Sequence, residues 1–158
     1  MSGDRFGVLF VCTGNICRSP TAEGIFRKLA ADAGMAEAVT ADSAGTHGYH
    51  VGQPPDPRAQ RAAAKRGYDL SALRARTIVD SDFQRFDLIL AMDRDHYSIL
   101  SSAQPMAAHK VKLVMSYARR FKEREVPDPY YGGPQGFERV LDLLEDAASG
   151  LLESLRRD

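Results

Sequence analysis

Chemistry in this sequence concentrates in one short segment, Cys12-Thr13-Gly14-Asn15-Ile16-Cys17-Arg18-Ser19. An apolar run precedes it, and Ser19-Pro20 reads as a helix N-cap with proline at the first helical position. A loop joining a strand to a helix N-terminus lets backbone N–H groups converge on one point, with the positive end of the helix dipole behind them. Such a loop is an oxyanion site. Gly14 and Asn15 are the residues that best tolerate the left-handed backbone a curled loop needs. Arg18 adds a planar fork that binds two phosphate oxygens at once. Donors that hold an anion also stabilise a thiolate, so a cysteine opening the loop is expected to ionise readily. The segment therefore combines a phosphate cradle with a nucleophile aimed at phosphorus. Cys-x5-Arg spacing alone is common by chance, and two buried cysteines beside a surface arginine would produce it equally. Placement between a buried strand and a Ser-Pro helix start favours the anion loop. The Gly-x4-Gly-Lys-Ser/Thr nucleotide loop is absent, which disfavours nucleotide hydrolysis of that type.

The elements that must position this loop follow from the apolar pattern. Phe6-Gly7-Val8-Leu9-Phe10-Val11 suits a strand buried on both faces. A helix is expected over residues 20–33, with Ile25, Phe26, Leu29, Ala30 and Ala33 at helical spacing and Gly34 as the stop. A second strand fits residues 38–43, ended by Gly45; residues 46–57, rich in Gly, Pro and His, are loop. A helix that starts at Asp56-Pro57-Arg58 fits residues 57–65, ended by Gly67. Residues 86–92 form a third strand, Asp93 caps a helix to about Leu100, and residues 110–115 form a fourth strand. After a turn at Pro127-Asp128-Pro129-Tyr130-Tyr131-Gly132-Gly133, the last helix carries an apolar stripe that includes Phe137, Leu141, Leu144, Ala148, Leu151 and Leu155.

Strands alternating with helices argue for an α/β fold, a parallel sheet with helices on both faces. Ligands of open sheets bind beyond the carboxyl ends of the strands. That rule points to the loops at 12–19, 43–57, 92–95 and 116–133. It brings Asp128 near Cys12, and two flanking prolines hold this carboxylate on a stiff turn. An ordinary Asp-Pro turn is the competing reading.

The 158 residues fit a single domain over residues 1–158, long enough to bury about 70% of the unfolded surface. With 21 Lys+Arg against 21 Asp+Glu, bulk charge attracts neither nucleic acid nor an anionic membrane. Positive potential is expected at one loop, from Arg18 and a helix N-terminus. The two cysteines cannot staple distant parts of a fold, and no targeting segment or run of ~20 apolar residues is present. A cytoplasmic, reducing location is expected. His47, His50, His96 and His109 lack a metal-ligand grouping, and His47 and His50 are expected to face solvent. No metal or cofactor is expected, because Arg18 and backbone donors supply the positive charge.

Val11 to Pro20 closely resembles the phosphate loop of the low-molecular-weight protein tyrosine phosphatases, and Ser43-Ala44-Gly45-Thr46, Ala91-Met92-Asp93 and Asp128-Pro129-Tyr130-Tyr131-Gly132 match in order. The resemblance covers essentially the whole chain. It implies a three-layer, flavodoxin-like sandwich around a four-stranded parallel sheet of order 2-1-3-4. It also implies hydrolysis of phosphotyrosine and small aryl phosphates through a cysteinyl-phosphate. Cys12 would attack phosphorus, Arg18 would hold the equatorial oxygens, and Ser19 would donate a hydrogen bond to the Cys12 sulfur. Asp128 would be general acid, then general base. Thr13, Gly14, Asn15, Ile16 and Cys17 would complete the cradle, with Asn15 and Ser43 holding its shape. Tyr49, Tyr130 and Tyr131 would wall the substrate pocket.

Many relatives carry a histidine just after the Ser71 region that ties the loop together; Ala72 and Leu73 stand there in this chain. Support from Ser43 and Asn15 alone is the expectation. The implied partners are tyrosine-phosphorylated proteins or peptides, with inorganic phosphate and vanadate as inhibitors and the protein as a monomer. A phosphoarginine phosphatase is the nearest alternative, since Thr13 is compatible with it while Tyr130-Tyr131 favours an aryl substrate. An arsenate reductase would need further cysteines, and a non-catalytic phosphate-binding module would not need Cys12, Arg18 and Asp128 together. Cys17 lies close enough in sequence for a reversible Cys12–Cys17 disulfide on exposure to peroxide.

Overall fold

In the computed structural model, which describes residues 5–130 and 132–156, strand β1 (Phe6–Cys12) runs through the middle of the sheet. It pairs in parallel with β2 (Val39–Gly45) on one side and β3 (Leu88–Ala91) on the other, and β4 (Val111–Leu113) completes the order β2-β1-β3-β4. This is the expected 2-1-3-4 sheet. Side chains of successive strand residues point to opposite faces. Val8, Phe10 and Cys12 accordingly join one buried cluster, while Leu9 and Val11 join another. The first cluster holds α1 (Arg18–Asp32), α2 (Pro57–Ala64) and α5 (Pro134–Arg156) against the sheet. The second contains Phe83 of the short helix α3 (Asp82–Arg85) and Leu100 of α4 (Arg94–Ala103). Helices therefore cover both faces, and the uninterrupted apolar run of β1 is what a strand buried on both sides requires.

Several boundaries differ from the sequence expectation for local reasons. α1 starts at Arg18 rather than Pro20, because the Ser19 hydroxyl is drawn to the Cys12 sulfur and Asn15 instead of capping the helix. Pro20 is tolerated at the third helical position, where the N–H has no intrahelical partner anyway. Ala33 falls outside α1 as an exposed C-cap, and Gly34 takes the left-handed conformation expected of a stop (φ 76°). β4 ends at Leu113, and Val114–Tyr117 turns as a 3-10 helix. Val111 packs with the second cluster and both Val114 and Met115 with the first, a change of face that strand alternation cannot make.

α5 buries more than its predicted stripe, adding Leu143, Asp146, Gly150 and Leu152. A Cβ at Gly150 would collide with the Tyr117 carbonyl oxygen, so glycine permits this close approach. Asp146 accepts the backbone N–H groups of Arg119, Arg120 and Phe121, at 3.1, 2.9 and 2.9 Å. This pins the start of the loop that carries Asp128. No helix among the described residues is long and apolar enough to cross a membrane.

Candidate active site

Cys12 ends β1 and Arg18 begins α1, so residues 12–18 curl at the carboxyl edge of the sheet. The chain leaves β1 toward one face and β3 toward the other, which opens a crevice between the two strand ends. The buried Cys12 sulfur lies 2.9 Å from the Ser19 hydroxyl and 3.4 Å from the Ser19 backbone nitrogen. Asn15 adopts the left-handed conformation with φ 61°. Gly14, expected to share that conformation, is not among the positive-φ residues. Its requirement is space, because an added Cβ would lie 2.8 Å from His50 Cδ2.

A buried relay fixes the polarity around the sulfur. The Arg76 backbone N–H donates to Asn15 Oδ1 at 3.0 Å, which orients the amide so that Nδ2 faces the hydroxyls. Nδ2 then donates to Ser19 Oγ at 2.8 Å and Ser43 Oγ at 3.0 Å. Ser43 Oγ in turn donates a hydrogen bond to Glu23 Oε1 at 2.7 Å. Burial pushes the Glu23 carboxyl up, while the Ser43 hydroxyl and Arg27 oppose that shift. With the Asn15 amide already supplying a proton to its oxygen, Ser19 is free to donate to the Cys12 sulfur.

Loop support thus extends beyond the expected Asn15 and Ser43. Thr46 and His47 backbone N–H groups hold the carbonyls of Cys12 and Thr13 at 2.9 and 3.0 Å. A Cβ on Gly45 would lie 2.6 Å from the Thr13 carbonyl oxygen, so the strand end and the loop touch backbone to backbone.

Arg18 is buried and aimed by partners from other loops. One guanidinium nitrogen donates to Asp93 Oδ2 at 3.0 Å and to the Val126 carbonyl at 2.9 Å. The other lies 3.8 Å from Asp128 Oδ2. Asp93 is also the predicted cap of α4, its Oδ1 accepting the His96 backbone N–H at 3.0 Å. Burial raises the Asp93 carboxyl, but the His96 N–H, the His96 ring and Arg18 outweigh it and hold the group below the ordinary aspartate range.

His96 was missed as a site residue by the sequence reading. Its buried ring places Nε2 2.8 Å from Thr13 Oγ1 and Nδ1 3.0 Å from Asp93 Oδ1, the latter not aligned as a hydrogen bond. Burial, joined by the nearby Arg18 charge and opposed by Asp93, lowers its pKa, so the ring is neutral at pH 7. The imidazole spans both ends of the loop, Thr13 directly and Arg18 through Asp93. His96→Ala is expected to lower kcat on an aryl phosphate about tenfold with a smaller change in KM, through misalignment of Arg18. His96→Gln, which can still reach Thr13, should recover most of the loss. Steady-state kinetics on both variants check this, and a loss confined to melting temperature would make His96 a packing residue only.

A cavity of about 230 Å³ opens above the loop, lined by Cys12, Thr13, Gly14, Ile16, Cys17 and Arg18 below and by Tyr49, His50, Asp128 and Tyr130 at the mouth. The structure therefore brings together every predicted site residue it describes: Ser19, Asn15 and Ser43 lie behind the loop, and Tyr131 falls outside the described residues. Tyr49 is exposed and stacks on His47 at 5.2 Å. His50, expected to face solvent, is half-buried and lines the cavity between Tyr49 and Tyr130, with ring centroids at 6.5 and 6.4 Å. Asp128 is held by the Tyr130 backbone N–H on Oδ1 at 3.0 Å. Asp56 caps α2, and Arg58 bonds it through both Nε and a terminal nitrogen while donating to the Tyr130 carbonyl at 3.1 Å.

Both cysteines are free and buried. Burial, then the charges of Asp56, Cys12 and Asp128, push the Cys17 thiol up to about 12. Cys17 is therefore a protonated thiol in the cradle, and a disulfide with Cys12 requires it to lose that proton. Among the described residues, no group of three or more His, Cys, Asp and Glu side chains could hold a metal ion.

Residues 7–158 match the family model described as low molecular weight phosphotyrosine protein phosphatase. The chain is 47% identical over 155 residues to a low molecular weight protein-tyrosine-phosphatase of Streptomyces coelicolor, covering 96% of this chain and 94% of that protein. It is 44% identical over 149 residues to the human low molecular weight phosphotyrosine protein phosphatase, covering 92% and 93%. A crystal structure of a protein tyrosine phosphatase from Entamoeba histolytica with Hepes in its active site superposes with a TM-score of 0.93 at 42% identity, over 96% of this chain and 97% of that one.

Proposed function

This chain belongs to the low molecular weight phosphotyrosine protein phosphatase family and is a protein tyrosine phosphatase; from that premise we propose the route by which its own residues act. The observation that carries it is one cavity bordered by Cys12, Arg18 and Asp128, with Ser19 directed at the Cys12 sulfur. The Cys12 thiolate attacks phosphorus, an S–P bond forms, and the P–O bond to the aryl group breaks. Asp128 donates its proton to the departing phenolate. Arg18 and the loop N–H groups at the start of α1 meet the charge that develops on the equatorial oxygens. Water then attacks the cysteinyl-phosphate and gives its proton to Asp128. The S–P bond breaks with the Ser19 hydroxyl stabilising the returning thiolate, and inorganic phosphate leaves. Tyr49 and Tyr130 offer aromatic faces to the substrate ring. The protein works in the cytoplasm, where both thiols stay reduced.

Purified protein should hydrolyse p-nitrophenyl phosphate without added metal, unaffected by EDTA and inhibited by vanadate. Compared on peptides, phosphotyrosine should be cleaved far faster than phosphoserine, whose short side chain cannot carry its phosphate past the aromatic mouth to the loop, and faster than phosphoarginine, which brings no aryl ring to Tyr49 and Tyr130. Comparable phosphoserine rates would refute an aryl-selective pocket.

A further inference from the structure

Beside the Tyr130 side of the catalytic cavity lies a second depression, about 420 Å³, between α2 and the start of α5. Arg58 and Arg61 of α2 and Lys65 at its C-cap line it, opposite Gly132, Phe137 and Glu138. Spacings of three and four residues put the three cations on one face of α2. Two charges there are already matched. Arg58 is bound to Asp56 at 2.8 Å, and Glu138 to Arg66 at 2.7 Å. Arg61 and Lys65 are exposed, and no carboxylate of the described residues pairs with either. A chain of zero net charge thus carries, apart from the catalytic loop, a concave strip with two uncompensated cations. The expectation of a single positive locus is corrected on this point.

The strip is continuous with the catalytic mouth. The Arg58 guanidinium, which lines the second depression, lies 5.5 Å from the ring centroid of Tyr130, which lines the catalytic cavity, and 4.9 Å from that of Phe137, so it bridges the two depressions. A polypeptide whose phosphotyrosine occupies the catalytic cavity and whose backbone leaves past Tyr130 runs onto Arg61 and Lys65. We propose that this face of α2 docks acidic side chains adjoining the phosphotyrosine of the substrate protein, a refinement that rests on the tyrosine phosphatase reading of the catalytic cavity. Charge complementarity selects the occupant: two free cations in a groove favour Asp and Glu over neutral or basic neighbours, and charges at an interface rim act on encounter and specificity more than on chemistry.

The test uses three phosphotyrosine peptides of equal length: two Glu before the phosphotyrosine, two Glu after it, or Gln at all four positions. Each is assayed with the native chain and with Arg61→Gln/Lys65→Gln, which avoids an acid in the last turn of α2. At low salt, kcat/KM should favour at least one acidic peptide about fivefold, a preference that fades by about 0.5 M salt. The double variant should lose that preference and keep its native rate on p-nitrophenyl phosphate. Equal rates on all three peptides, a preference that survives in the double variant, or a parallel loss on p-nitrophenyl phosphate each overturn the proposal. Sedimentation with phosphatidylserine vesicles that needs the same two cations, without peptide preference, assigns the strip to a lipid surface and overturns it too. Hydrolysis of p-nitrophenyl phosphate with no cleavage of any phosphotyrosine peptide places the failure in the substrate reading itself.

Discussion

Cys12→Ser is expected to abolish hydrolysis of p-nitrophenyl phosphate, by roughly 10⁴-fold or more in kcat, because the step that forms the covalent intermediate loses its nucleophile. A serine hydroxyl at that position has no base to ionise it. Ser19, itself a hydroxyl that accepts from the Asn15 amide at 2.8 Å, can share a hydrogen bond with it but is no general base. The substitution leaves the rest of the cradle in place. Asn15, Ser43, Arg76 and His96 bind one another and Thr13 without using the sulfur. Arg18 is held by Asp93 and the Val126 carbonyl. Inorganic phosphate should therefore still raise the melting temperature of the variant, as ligand binding to the folded state must. Lost hydrolysis with retained phosphate stabilisation separates a missing nucleophile from a collapsed loop. Hydrolysis within tenfold of the native rate would remove Cys12 from the reaction.

The parts of this site that are contiguous in sequence are the parts that could be read from it. Residues 12–19 carry nucleophile, anion donors and arginine within one loop, so residue type and spacing state their chemistry without knowledge of the fold. Asp93 is the instructive contrast. Its local pattern identifies an N-cap, and its Oδ1 does cap α4, but Oδ2 reaches Arg18 only because β1 and β3 are neighbours in the sheet. His96 likewise stands one helical turn into α4 and meets Thr13 from 83 residues away. His50 lies in a loop with no periodicity to reveal its direction. What turns it inward is the pinning of that loop by the His47 N–H to the Thr13 carbonyl, the Gly52 N–H to the Ala75 carbonyl and the Asp56 N–H to the Ile16 carbonyl. The parallel sheet with helices on both faces was legible for the opposite reason, while its strand order came from the family resemblance alone. Strands that are apolar on both faces and separated by helices leave few ways to be buried. Boundary errors arose where a side chain had a stronger partner than its local role, as with Ser19, or where the chain changed face, as at Val114.

Removing the Asp128 carboxyl tests the other half of the chemistry, and the leaving group decides what is seen. Tyrosine leaves as a phenolate with a pKa near 10, so expelling it from phosphorus at neutral pH needs a proton in the transition state. Asp128 is arranged to give one: its Oδ1 is occupied by the Tyr130 N–H at 3.0 Å, and Oδ2, lying 3.8 Å from Arg18, makes no hydrogen bond among the described residues. The group is half exposed at the cavity mouth, where a departing oxygen passes. Asp128→Ala should lower kcat on a phosphotyrosine peptide by about 10²- to 10³-fold, the usual contribution of a positioned general acid, with KM unchanged or lower. p-Nitrophenyl phosphate, whose leaving group is stabilised by its nitro group, should suffer less. Asp128→Asn keeps an acceptor for the Tyr130 N–H and so preserves the turn, yet it cannot supply the acidic proton; it should be as slow as the alanine variant. Vanadate should inhibit both variants nearly as well as the native chain, since the cradle that binds it is built from residues 12–18 and not from this turn. A rise in KM alone, or an equal loss on both leaving groups in the asparagine variant, would make Asp128 a substrate-binding residue and require another group to protonate the phenolate.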